Sequence, residues 1–98
     1  MSYKLVIRAE AEAEIEEAFR WYEERQSGLG KDFLLRVDAC LSLIRKNPHS
    51  YPVKYKHVRQ TLLHRFPYSV FYLVAEDAII VIAVFHSKRN PAIWQGRA

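Results

Sequence analysis

The sequence predicts an α+β fold of order β-α-α-β-β-β, with an N-terminal helical hairpin packed on a mainly antiparallel four-stranded sheet. Three observations predict it. The apolar period lengthens from two to about 3.6 after residue 8, and apolar runs rich in β-branched and aromatic residues follow residue 57. A chain of 98 residues is also long enough to bury one modest core, so we expect residues 1–98 to form a single domain.

The first strand and the first helix are marked by that change of period. Residues 3–8 alternate apolar and polar side chains apart from Val6, which predicts a strand over Tyr3–Arg8. A helix is predicted over residues 10–26, because four apolar residues share one face of it while most glutamates face away. These four are Ala11, Ile15, Ala18 and Tyr22. Gly28 then stands where a left-handed residue ends a helix.

A second helix and three strands complete the order. Phe33, Val37 and Ile44 repeat the helical spacing. Asn47-Pro48 ends this helix, because the residue before a proline avoids helical angles. Three apolar runs then predict strands over residues 58–66, 68–75 and 79–86. The last run has no polar face, so we expect it to be the central strand.

Composition limits the classes of protein to which this chain can belong and the cellular compartment expected for it. The longest apolar run, Ala78–Phe85, is far too short to span a bilayer, and no secretory signal opens the chain. The single cysteine excludes an internal disulfide, and four histidines at irregular spacings do not form a metal-binding pattern. We therefore expect a cytoplasmic protein with no membrane contact, no metal and no cofactor.

Charge is divided unevenly along the chain. Residues 1–27 hold seven glutamates against four Lys and Arg, whereas residues 28–98 hold eleven Lys and Arg against four acidic residues. A basic stripe of this kind indicates an anionic partner, which can be nucleic acid, an acidic protein segment or an anionic lipid surface. A solvated surface without function is the alternative interpretation.

A set of short motifs then carries a family resemblance. In chain order they are Trp21-Tyr22, Gly28-Leu29-Gly30 with Phe33, Asn47-Pro48, Tyr51-Pro52, Arg59, Arg65-Phe66-Pro67-Tyr68, Tyr72, His86-Ser87-Lys88-Arg89-Asn90-Pro91, Trp94 and Arg97. Each is weak by itself. Together with the element order they resemble the RelE/ParE superfamily of toxins from bacterial type II toxin–antitoxin modules, over essentially the whole chain.

The resemblance implies a growth-inhibiting toxin that a small antitoxin, usually encoded beside it, neutralises in a hetero-oligomer. RelE-like members resemble ribosome-dependent ribonucleases that cleave mRNA. ParE-like members, the plasmid stabilisation proteins, are thought to act on DNA gyrase without cleaving RNA. A third possibility is an inactive relative that only binds its antitoxin.

Metal-free RNA cleavage needs a base, an acid and cations that stabilise the phosphorane. If the chain is such a ribonuclease, the candidate catalytic residues are His86 as the acid or base and Arg65 and Arg89 as the cations that stabilise the phosphorane. RelE-like relatives commonly carry a tyrosine after the last strand. Here Ser87 follows His86 and no tyrosine occurs after Tyr72. We therefore favour a ParE-like toxin whose target is gyrase.

The expected binding residues are mostly basic. Those predicted to contact the target are Lys54, Lys56, Arg59, Arg65, His86, Lys88, Arg89, Trp94 and Arg97. Phe19 and Trp21 lie off the main buried stripe of the first helix, so an antitoxin helix or extended segment is expected to cover them. For His86, Arg59 and Arg65 a purely structural role stays open, such as a hydrogen bond at a strand end.

Overall fold

The structure is a computed structural model that describes residues 3–98. Its elements are β1 (Lys4–Ile7), α1 (Ala9–Arg25), α2 (Leu29–Lys46), β2 (Val53–Tyr55), β3 (Val58–Leu62), β4 (Tyr68–Ala75), β5 (Ala78–His86) and α3 (Ala92–Gln95). The five strands form one sheet in the order β1-β5-β4-β3-β2. None of the helices among residues 3–98 has the length and apolar composition of a membrane-spanning segment.

The α+β class with a helical hairpin on a sheet is confirmed, but the predicted strand count of four is wrong. The sheet has a fifth strand, β2, formed by residues that the sequence leaves in a loop. Three residues are too few to show alternation, and this strand exists only because it pairs with β3. The sheet is mixed, because β1 runs parallel to β5 while the other pairs are antiparallel.

Two predicted details of the strands are also wrong. The strand ending in His86 is interior but not central, since β4 occupies the middle of the sheet. The strand predicted over residues 58–66 ends at Leu62. Arg65 there takes a left-handed backbone with φ 74°, which turns the chain. Phe66 is thereby buried against the aromatic rings of Tyr22 and Phe33, at centroid distances of 4.9 and 5.4 Å.

The sheet is covered on both sides, by unequal amounts of chain. One face packs on the helical hairpin through Val70, Tyr72, Ile79 and Val81. The other face is covered mainly by the single turn of α3, whose Trp94 packs on a smaller cluster. The hairpin side therefore holds the larger core, and the α3 side leaves part of the sheet uncovered.

The hairpin connection confirms the left-handed residue predicted at Gly28, whose φ is 89°. Glu23 of α1 reaches across the turn, and its carboxylate accepts hydrogen bonds from the backbone N–H groups of Gly28 at 2.9 Å and Gly30 at 3.0 Å. These bonds satisfy free donors at the start of α2 and lower the pKa of Glu23. The Gly28-Leu29-Gly30 motif thus forms a helix-to-helix turn that the Glu23 carboxylate stabilises.

Candidate functional site

An irregularity in β5 decides which way His86 points. Phe71 of β4 pairs with Ala83 but the next residue, Tyr72, pairs with Val81, so Ile82 is an extra residue on β5. An extra residue reverses the alternation of side chains beyond it. Val84 consequently packs on the hairpin side, as Val81 does, and His86 follows it to that side.

Where β1 ends, a carboxylate from α1 forms a hydrogen bond with the exposed backbone edge of β5. The last residue of β1 pairs with Val81, so the later residues of β5 have no neighbouring strand there. Glu14 Oε1 accepts a hydrogen bond from the backbone N–H of Val84 at 3.1 Å, and Arg97 Nη1 donates to the carbonyl of Ile82 at 3.1 Å. The Arg97 guanidinium also donates to both oxygens of Glu14 at 3.0 Å. This pair, which we call the Glu14–Arg97 clamp, ties the C-terminal segment to α1 and β5.

Beside this clamp lies a cleft between α1 and the end of β5, with a volume of about 760 Å³. Its floor is apolar and aromatic, and its rims are charged. The side chains that line it include Glu14, Glu17, Trp21, Tyr22, Tyr68, Val84, His86 and Arg89. Trp21 is 50% exposed. An aromatic floor with convergent polar groups is typical of a binding site.

His86 is held by two neighbours at the mouth of the cleft. Its Nδ1 accepts a hydrogen bond from the backbone N–H of Lys88 at 3.0 Å, so Nε2 carries the proton of the neutral ring. Tyr68, its pairing partner on β4, contacts the imidazole edge-on with 5.1 Å between ring centroids. Burial raises the pKa of Tyr68, and the nearby Tyr22 and Glu17 raise it further. The Tyr68 phenol therefore stays protonated at neutral pH.

The two rims of the cleft carry opposite charges. The α1 rim presents four glutamates, Glu14, Glu16, Glu17 and Glu24, together with Arg20. Glu14 is paired with Arg97 and Glu16 with Arg20, which leaves Glu17 and Glu24 without an ion-pair partner among residues 3–98. On the sheet rim, Arg89 stands 4.2 Å from the ring centroid of Phe85 and 3.7 Å from Glu14. The cleft is thus not a uniformly basic surface, and a polyanion would meet the glutamates on entering it.

Several predicted site residues do come together here. His86, Arg89 and Trp21 all line the cleft, although the sequence assigns them to different partners. Lys88 is exposed in the turn after β5. Arg65 is exposed in the β3–β4 loop. This loop lies at the same end of the sheet, as shown by the hydrogen bond that the Ser87 N–H donates to the carbonyl of Pro67 at 2.8 Å.

Three predicted basic residues lie elsewhere. Lys54 on β2 and Lys56 in the turn after it are at the opposite edge of the sheet from β5. Arg59 uses its guanidinium within the fold, where Nη1 donates to the carbonyls of His49 at 3.1 Å and Tyr51 at 2.6 Å. The structure therefore does not assemble the predicted basic residues into one surface.

The remaining candidates have structural contacts as well. Trp94 is 5% exposed and stacks on Phe71 with 4.0 Å between ring centroids, so its ring is not free to stack on a base. Arg97 belongs to the Glu14–Arg97 clamp. Phe19 lies away from the cleft and lines a shallow groove between the two helices with Leu34. Phe19 and Trp21 are thus on different sides of α1.

Sequence reasoning missed two residues of this site, Glu14 and Tyr68. Glu14 is three residues after Ala11 and four before Ala18, so helical spacing alone places it on the buried stripe of α1. This spacing is the one feature of the sequence that indicates a buried carboxylate at Glu14. The sequence gives Tyr68 as the first residue of a predicted strand, and nothing local shows that His86 stands beside it.

Comparisons with known proteins agree with this architecture. The family described as "ParE toxin of type II toxin-antitoxin system, parDE" matches residues 5–91. Toxin ParE2 of Mycobacterium tuberculosis, strains CDC 1551 / Oshkosh and ATCC 25618 / H37Rv, is 30% identical over 92 residues, which is 93% of this chain and 88% of that protein. A solved chain of the "Chromosomal ParDE TA system from P. aeruginosa" shares the fold with TM-score 0.66 at 16% identity, over 87% of this chain and 96% of that one. By its sequence and its fold, this chain belongs to the ParE toxin family of type II toxin–antitoxin systems.

Proposed function

We propose that this chain arrests bacterial growth in the cytoplasm by acting on DNA gyrase, and that a cognate antitoxin neutralises it. Membership of the ParE family supports a toxin role, and the structure bears on the choice between gyrase and RNA. The observation that carries this choice is the pair of carboxylates of Glu17 and Glu24 on α1 opposite His86 and Arg89, because neither has an ion-pair partner among residues 3–98. An RNA strand approaching His86 would meet like charge on that rim.

A ribonuclease remains the second candidate function, because of one contact. Tyr68 places a phenol beside His86 with 5.1 Å between ring centroids, which supplies the group that the sequence lacks after the last strand. Histidine, tyrosine and arginine are suitable groups for metal-free RNA cleavage. Arg89 is drawn towards Glu14 at 3.7 Å, however, so its charge is partly compensated. The acidic rim therefore favours the gyrase proposal.

The test is induced expression of the His86→Gln variant, following growth, primer extension of mRNA and plasmid supercoiling in one culture. If the chain acts on gyrase, we expect arrest with intact mRNA and disturbed supercoiling, and His86→Gln to weaken it less than about 10-fold. Loss of a general acid or base would instead lower the rate by about 100-fold or more. His49→Gln, in an exposed loop, is the matched control.

Two outcomes would contradict the gyrase proposal. Ribosome-dependent mRNA cuts that vanish in His86→Gln would establish the ribonuclease function. A wild-type chain that does not arrest growth would leave only an antitoxin-binding protein.

We further propose that the antitoxin binds in the cleft, with Trp21 as its main contact. Trp21 is half-exposed, and Arg25 lies over its ring at 3.8 Å from the centroid, which holds the indole at the mouth of the cleft. Large aromatic side chains of this kind often dominate binding energy. Occupation of the cleft would cover His86 and Arg89 together, which accounts for neutralisation.

Trp21→Ala is expected to weaken antitoxin binding by about 30-fold or more, the loss typical of a central aromatic contact. The measurement is titration calorimetry with the antitoxin encoded beside this chain. Leu43→Ala is the control, because Leu43 is similarly exposed at 55% but lies on α2 outside the cleft. An equal loss in both variants, or none in Trp21→Ala, would place the antitoxin elsewhere; Phe19→Ala would then test the groove on the other side of α1.

A further inference from the structure

The outer face of α2 is apolar in its middle. Leu35 is 64% exposed and Leu43 is 55% exposed, and Ala39, midway between them, is exposed as well. At about 100° per residue, these three lie within about 40° of one line along the helix, which is about 12 Å long. The buried residues of α2, such as Phe33 and Ile44, lie on the opposite face. We call Leu35, Ala39 and Leu43 the α2 stripe.

The neighbouring helix α1 has a different outer face. Its exposed residues are mostly charged, and the large apolar side chain exposed on it, Trp21, lines the cleft. A helix that packs on a sheet through one face is expected to be polar on the other face, as α1 is. The two leucines in line on the solvent side of α2 therefore indicate a surface that another molecule covers.

The α2 stripe is flanked by charges of opposite sign. Asp32 is exposed in the first turn of α2 and Lys46 in its last turn. Each stands seven residues from Ala39, which is about two helical turns, so both lie on the same side of the helix as the stripe. Neither forms an ion pair with another residue among residues 3–98. The outer face of α2 is thus acidic at one end, apolar in the middle and basic at the other end.

We propose that two copies of this chain form a dimer through the α2 stripe, with the two α2 helices antiparallel and a two-fold axis at Ala39. Residues equally far from Ala39 on opposite sides of it then stand level with each other across the interface. Asp32 of each copy is level with Lys46 of the other copy, so both pairs of opposite charges meet. The leucines of each copy pack on either side of Ala39 of the other.

The pattern of the face favours a second copy over an unrelated helix as the occupant. Its opposite charges are equally far from the centre, so the face is complementary to itself after a two-fold rotation. Ala39 has a small side chain where the axis passes, which lets the two helices approach closely. The flanking Arg36 stands level with the uncharged Ser42. Parallel helices would instead place Asp32 against Asp32 and Lys46 against Lys46, and would align the helix dipoles unfavourably.

This dimer is independent of the cleft and of the proposed function. None of the residues that line the cleft is on α2, so both clefts of a dimer stay open. One helix face buries less than the roughly 800 Å² per partner of a standard interface, so we expect a transient dimer with a Kd of about 100 μM.

Sedimentation equilibrium of the purified chain at up to about 500 μM measures this dimer. Asp32→Lys turns both ion pairs into pairs of like charge, so we expect the Kd to rise by about 10-fold, and Lys46→Asp should have the same effect. The double variant Asp32→Lys with Lys46→Asp exchanges the two ends of the face and should restore the wild-type Kd to within about 2-fold. Asp77→Lys, in the exposed turn after β4, is the control for net charge.

The double variant also separates the interface from the fold. Each reversal places an unfavourable charge at an end of α2, so the double variant should have the least stable helix and yet regain the dimer. The apolar contacts are tested with Leu35→Ser combined with Leu43→Ser, which should leave the chain monomeric at about 500 μM. Leu62→Ser, on β3 at a position with a similar exposed fraction of 69%, should dimerise as the wild-type chain does.

Three results would overturn the proposal. The first is a wild-type chain that is monomeric at about 500 μM. The second is an Asp32→Lys chain that dimerises as tightly as the wild type, and the third is a double variant that dimerises no better than the single ones. The amide NMR resonances that shift with protein concentration should be those of residues 31–47. Shifts around the cleft instead would place the contact between copies there and would equally overturn it.

Discussion

Glu14→Ala is expected to lower the free energy of unfolding by about 3 kcal/mol. Removal of one partner from a buried ion pair typically costs 3–5 kcal/mol, and we take the lower limit because the Glu14 side chain keeps 11% exposure and Arg97 keeps 17%. The variant leaves the Val84 N–H without its acceptor and the Arg97 guanidinium without its carboxylate partner, with the carbonyl of Ile82 as its one acceptor among residues 3–98. Urea denaturation with an unchanged slope measures the loss.

Controls on the same helix separate this effect from helix propensity. Glu24→Ala, at an exposed position on α1, should change the free energy of unfolding by less than about 0.5 kcal/mol. Glu14→Gln should recover little, because its amide N–H₂ would face the donors of Arg97. If Glu14→Ala were as stable as Glu24→Ala, the Glu14–Arg97 clamp would not be holding the C-terminal segment.

Gly30→Ala is expected to lower the free energy of unfolding by about 2 kcal/mol. A Cβ at this position would stand 2.7 Å from the backbone oxygen of Phe19 on α1 and 2.8 Å from its Cδ1. Overpacking of this kind costs about 1–3 kcal/mol, against which alanine regains under 1 kcal/mol of helix propensity. Thermal and urea unfolding should both show the loss.

Gly28→Ala is the informative comparison. Its φ of 89° is left-handed, but a Cβ there would meet no atom within 4 Å. Backbone strain alone costs an alanine about 1 kcal/mol. We therefore expect the smaller loss at the residue with the unusual backbone and the larger one at the helical glycine. The reverse order would show that α1 and α2 can move apart at Phe19.

The sequence predicts the chemistry of some site residues but not their direction or their partners. His86 was expected to matter because of its chemistry and its place at the end of a strand. Its direction could not be foreseen, because regular alternation from Ile80 and Ile82 would have turned His86 to the α3 side. Helical spacing places Glu14 on the buried stripe of α1, but it does not indicate the partner of Glu14, since Arg97 lies 83 residues away.

Sequence by itself determined the order of the main helices and strands, the turn at Gly28 and the family, because these depend on side chains a few residues apart and on motifs in a fixed order. Tertiary structure alone decided three features: the extra residue Ile82 that turns His86 into the cleft, the pairing that makes β2 a strand, and the burial of Trp94 on Phe71. Each of these depends on contacts between distant parts of the chain, and no local period records such contacts.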